Sequence, residues 1–126
     1  MSTEAVQQAT QLMDRHIVAL NNRDAEAVAA TLHFPHHRLS GNSWKTWENA
    51  DHYLSDFLAR AGSNWKRSAF NDIKVLGASE KKVHLETVVL RLDSDDTLIS
   101  QVRSLWVIIE LDGVWAAKAR SSFAVA

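Results

Sequence analysis

TLISQVRSLWVIIELDGVWAAKARSSF, from Thr97 to Phe123, decides the fold. Two runs rich in Val, Ile and Trp flank Asp112-Gly113, a dipeptide that reverses the chain easily because Gly113 can take φ > 0 at no steric cost. The stretch predicts a long β-hairpin, and the rest of the chain supplies what covers it.

The register of that hairpin decides which side chains face inward. A two-residue loop at Asp112-Gly113 would put Lys118 and Arg120 on one face with Leu105 and Val107, mixing charge with core. A three-residue loop, Leu111 to Gly113, with Gly113 left-handed in a bulge, pairs Glu110 with Val114 and sets Ile109 beside Trp115. One face then holds Leu105, Val107, Ile109, Trp115, Ala117 and Ala119, and the other holds Glu110, Lys118 and Arg120. This separation favours the three-residue loop, although a slip of one residue would invert every assignment. Odd-numbered side chains from Val83 to Phe123 are thereby expected to face the helices, Arg103 and Ser121 among them.

At 126 residues the chain has the length of one domain, residues 1–126, with enough apolar sequence for one core. Fourteen basic and fifteen acidic residues, without a block of either sign, offer no electrostatic footprint for nucleic acid or an anionic membrane. With no cysteine there is no disulfide framework and no thiolate site. The N-terminal MSTEAVQQATQLMDRH lacks the basic start and apolar run of a secretion signal, and no apolar stretch has the roughly 20 residues that span a bilayer. A soluble, cytoplasmic protein is the expectation.

Upstream of the hairpin the apolar period is first helical and then alternating. Val6, Ala9, Met13, Ile17 and Leu20 form one stripe of a first helix ending near Asn21-Asn22. A short second helix follows, with Asp24 as N-cap and Val28, Ala29 and Leu32 buried, and Pro35 stops it. His36 to Ser40 reads as a short strand, Gly41 to Ser43 as a loop, and Thr46 to Gly62 as a third helix. From Asn64 the period changes to two. Trp65, Arg67, Ala69, Asn71, Ile73 and Val75 share a phase, with Phe70 in the other warning of a bulge. After a turn at Ala78 to Lys82, Val83, Leu85, Thr87, Val89 and Arg91 make an inward row, and Asp93 to Thr97 turns into the hairpin. Helices followed by antiparallel strands give an α+β class.

This layout, carried by LNNRDAEAVAATLHFPH (20–36) and SLWVIIELDGVWAAKARSSF (104–123), resembles the nuclear transport factor 2-like superfamily, including its SnoaL-like branch. The resemblance implies three helices packed in the concavity of a strongly curved antiparallel sheet, a cone with a pocket at its open end. Its members include isomerases, dehydratases, cyclases, epoxide hydrolases and transport adaptors, so the fold alone does not select a chemistry. The carboxylate bases of its enzymes have no counterpart here: the region after the second helix offers Pro35-His36, and the last strand offers Ala119-Arg120-Ser121-Ser122.

Several residues are candidates for a site. His33, His36 and His37 fall short of a metal set because Pro35 interrupts them and no fourth ligand lies nearby, and no metal or cofactor is expected. His36, at the pocket wall by the family layout, is a candidate acid or base; the competing reading is a histidine bound to backbone. Arg103 on an apolar row needs a carboxylate, from the protein or from a ligand. Thr87 and Ser121 share that wall, Arg67 follows the same logic at a strand end, and Trp47 and Trp65 suit an aromatic pocket lining. Trp106, Val102 and Ile108, beside Val88 and Leu90, are expected outside as an apolar patch of the kind that marks a homodimer interface. The implied function is binding of a small hydrophobic or amphipathic carbonyl or carboxylate compound. The alternatives are an isomerase, dehydratase or cyclase using His36, and a non-catalytic dimeric interaction scaffold.

Overall fold

The computed structural model describes residues 3–123. Two helices, α1 (Thr3–Asn21) and α2 (Ala25–Ala29), precede strands β1 (Leu32–Ser40) and β2 (Ser43–Trp47). Helix α3 (Ala50–Ala61) is followed by β3 (Arg67–Ala78), β4 (Lys82–Leu92), β5 (Leu98–Leu111) and β6 (Val114–Ser122). The six strands form one sheet in the order β2-β1-β6-β5-β4-β3, in which only the β1–β6 pair is parallel. Helix α1 lies in the concavity, where Ala5, Ala9, Leu12 and Met13 pack in one core with Val83, Leu85, Trp106, Ile108 and Ala117. A smaller cluster of Leu20, Leu54, Phe57 and Trp65 closes the sheet's other end against α3. This is the expected α+β cone.

Local capping follows the sequence in α2, where Asp24 accepts from Ala27 N, and departs from it in α3. Thr46 is not a cap: Ser43–Trp47 pairs antiparallel with β1, and Asn49, extended at φ −152°, accepts from His52 N at 2.9 Å. Pro35 does not close a helix but sits inside β1, which is longer than the expected His36–Ser40.

The hairpin reverses through two residues, not three. Asp112 and Gly113 have φ of 51° and 84°, the pair of positive values of a type I′ turn, so Leu111 pairs with Val114 and Ile109 with Ala116. The extra residue lies further on, at Lys118, between the pairs Ile108–Ala117 and Val107–Ala119. Its Nζ reaches over to the Pro35 carbonyl at 2.7 Å. Beyond that bulge Arg120 stands opposite Trp106 and Ser122 opposite Ser104, and these face the core.

The inward phase of β5 is therefore the even one, and several expectations are corrected. Arg103 and Ser121 are exposed on the outer face, where Arg103 Nε meets Glu86 Oε1 at 3.2 Å. Trp106 and Ile108, 1% and 0% exposed, are core rather than interface, and Val102 also faces in. Arg67 is outside as well, paired with Asp96 at 3.1 Å. The choice of phase by apolarity failed because Leu105, Val107 and Ile109 make the outer face as oily as the inner one, while a polar group of side chains occupies the interior. On β4 the odd phase does face inward: Val83, Leu85 and Thr87 are buried, and Val88 and Leu90 point out. On β3 the bulge announced by Phe70 lies at Asn71, so Ser68 and Phe70 face in before it and Ile73 and Val75 after it.

Candidate functional site

Four arginines converge on the interior from four different elements. Alternation along β1 buries His36, Arg38 and Ser40, and Arg38 is 3% exposed. Its register partner on the adjacent parallel strand is Arg120, two like charges side by side in an arrangement that ordinarily destabilises a sheet. Arg91 enters from β4 opposite Ser68, and Arg60 from the last turn of α3. The Nε of each of the four is buried without a hydrogen-bond partner, as is one terminal nitrogen of Arg60, and no ion pair engages any of them among the described residues.

Aromatic faces hold these guanidiniums in place. Arg38 lies over Trp47 at 6.0 Å, Arg120 over Trp106 at 5.0 Å, and Arg60 and Arg91 over Phe57 at 5.8 and 5.6 Å. Attraction to a ring face recovers part of the cost of burying a cation, about 0.5–2 kcal/mol each. It does not satisfy the N–H groups, which still need oxygen or nitrogen acceptors.

The electrostatics record the strain. Burial, then repulsion from Arg120 and Arg60, lowers the Arg38 pKa to about 9. Burial and Arg120 lower that of Arg60 to about 10 and pull Arg91 down as well. Asp56 offsets this only in part, by raising the pKa of Arg60. Asp56 is taken by Lys45 Nζ at 2.5 Å and by Trp47 Nε1 at 2.8 Å, and its carboxyl is held below the usual range chiefly by that Lys45 contact.

Two histidines complete the interior, both neutral. His16 Nδ1 lies 2.8 Å from Thr31 Oγ1, whose own proton goes to the Val28 carbonyl, so the imidazole donates and its Nε2 carries the lone pair. His36 Nδ1 donates to the Ala117 carbonyl at 3.0 Å, leaving Nε2 a buried acceptor without a partner. Burial, aided by Arg120, pushes both pKa values down to about 3. His36 is fully buried among Tyr53 and Trp47, with ring centroids 5.5 and 6.2 Å away.

The open space beside the four arginines is small. A cavity of about 20 Å³, room for about one water, is lined by His16, Phe57, Phe70, Arg91, Trp106 and Arg120 with Ser104 and Ser122. A second of about 100 Å³ lies among Arg38, Ser40, Ser43, Lys45 and Arg60. Of the residues singled out from sequence, the structure buries Thr87, Trp47, Trp65 and His36 and leaves Arg103, Ser121 and Arg67 outside. Thr87 accepts from Trp106 Nε1 at 3.1 Å, and Trp65 Nε1 donates to Ser68 Oγ at 3.0 Å, so both are tied into the wall. His33 donates to the Ile109 carbonyl and His37 bonds Thr46, and among the described residues no set of three or more acids and histidines is placed to hold a metal.

Sequence reasoning missed Arg38, Arg60, Arg120 and His16. The signal for Arg38 was its alternation with His36 and Ser40 once Pro35 is allowed inside a strand. For Arg120 the signal required placing the bulge at Lys118.

No protein-family model matches the chain, and no curated protein sequence matches it. Solved structures do. A Nostoc punctiforme protein of unknown function with a cystatin-like fold superposes with a TM-score of 0.76 at 13% identity, covering 97% of this chain and 92% of its own. A nuclear transport factor 2-like protein from Cytophaga hutchinsonii gives 0.74 at 17% identity over 99% of this chain and 100% of that one. Another, of unknown function, from Pseudomonas putida gives 0.75 at 17% identity over 97% and 87%. Through helices cupped in a curved six-stranded sheet, this chain has the nuclear transport factor 2-like fold.

Proposed function

We propose that this protein binds a small anionic compound inside the cone, gripped by Arg38, Arg60, Arg91 and Arg120. The observation that carries the reading is the set of four guanidiniums, Arg38 buried and the other three half-buried, each with a buried Nε and none with a carboxylate partner. A buried charge without a partner costs several kcal/mol, and a bound anion removes that cost in the occupied state. The two cavities favour a compact ligand over an extended hydrophobic one. Titration calorimetry against small carboxylates, phosphate and sulfate tests this. Arg120→Gln abolishes the binding while Arg103→Gln, on the outer face, leaves it intact; equal loss in both variants, or in neither, overturns the assignment.

The unpartnered Nε2 of His36 supports a second, catalytic reading in which it accepts a proton from the bound compound. Turnover lost in His36→Gln with anion binding retained assigns that role. We also propose that the outer face of β4 and β5, with Val88, Leu90, Leu105 and Val107, is the homodimer surface in place of the patch centred on Trp106.

A further inference from the structure

We infer that the occupant of this site is a compact dianion, a molecule carrying two negative charges on oxygen within a few bonds of each other, such as a short dicarboxylate or a phosphoryl group. The inference rests on the anion-binding reading and narrows it by charge, geometry and size.

Register crowds the charges together. Arg38 and Arg120 are direct neighbours on parallel strands, and Arg60 and Arg91 act on Arg38 through the same interior. One negative charge would leave most of that cluster unmatched. Two negative charges divide among the four guanidiniums, so that each acid group meets a pair of them.

Each guanidinium keeps one edge free. Ring faces already cover one side of all four guanidiniums, and the Nε edge is unused in each. An Nε–H and the neighbouring terminal N–H form the fork that takes two oxygens of one carboxylate or phosphoryl group side-on. Arg38 and Arg60 line the larger cavity, and Arg91 and Arg120 the smaller. The larger has room for an anionic group, while the smaller, with room for about one water, adds the charges of Arg91 and Arg120.

Cavity size limits the frame. With cavities of about 100 and 20 Å³, there is no volume for a long chain or a fused ring system between the charges. Both charges must therefore sit on one compact frame, a short dicarboxylate or a single tetrahedral group.

The test is calorimetry at constant ionic strength with acetate and propionate against malonate, succinate and glutarate, and with phosphate and sulfate as a separate arm. Dianions are expected to bind at least about tenfold more tightly than monocarboxylates, the scale of one added charge-assisted hydrogen bond. Arg38→Lys, which keeps the charge and removes the fork, is expected to lower dianion affinity by a similar factor while retaining the fold by circular dichroism. The two arms tell a dicarboxylate from a phosphoryl or sulfuryl ligand. Equal affinity for acetate and malonate, both lost in Arg120→Gln, overturns the dianion and leaves the anion site standing. Binding that persists in Arg120→Gln overturns both.

Discussion

Arg38 concentrates the conflict between stability and binding in this protein. Its folded pKa is depressed, so its stabilising share is whole only above the unfolded value and is lost as pH falls through about 9. At pH 7 the folded state therefore carries the full penalty of a buried, repelled cation. Arg38→Met, which keeps an unbranched apolar stem and removes the charge, is expected to stabilise the empty protein by about 1–3 kcal/mol in urea unfolding at pH 7. The same substitution removes the stabilisation given by anions. A destabilised Arg38→Met would mean that the guanidinium already has a partner. Residue types alone do not disclose this tension, since Arg38 in the sequence HFPHHRLSG looks like a surface residue of a polar strand.

At the scale of elements, the β5–β6 hairpin sets the direction in which every side chain of the wall points. Its turn uses two consecutive positive φ values, and Gly113 at φ 84° is the position where an L side chain is strained whatever the space around it. The Gly113 N–H also donates to Glu110 Oε1, holding the turn closed. Gly113→Ala is expected to cost about 1 kcal/mol, read as a lower urea midpoint at unchanged slope. Anion affinity stays constant, because the turn is remote from the arginines. The bulge at Lys118 is the second control point: it returns Arg120 to the interior after the two-residue turn would have sent it out. Turn chemistry at Asp112-Gly113 is written in the local sequence. The bulge is not, because it is stabilised by a contact with Pro35, 83 residues away.

For the whole molecule, the two buried histidines couple folding to pH. Both are neutral in the fold with pKa values near 3, against 6.5 when unfolded. The unfolded chain takes up protons that the folded one refuses, so stability is whole above pH 6.5 and falls as pH drops from there toward 3. The slope is at most about 1.4 kcal/mol per pH unit for each histidine. Denaturant unfolding from pH 7 to 4 is expected to show this decline, and His16→Gln to reduce it. A stability profile flat across that range would contradict the buried neutral imidazoles.

The sequence by itself determined the class and layout of this protein: the helical stripe of α1, the cap at Asp24, the period change after Asn64, and the turn at Asp112-Gly113. Each is a local pattern, set by side-chain spacing or by the dihedral freedom of one or two residues. Tertiary structure alone decided which face of β5 and β6 looks inward, and with it the site. Both faces of that hairpin are apolar enough to be core, so alternation could not choose between them. The choice was made by a bulge, by parallel pairing of β1 with β6, and by rings from β2, α3 and β5 that shelter four guanidiniums no stretch of sequence brings together.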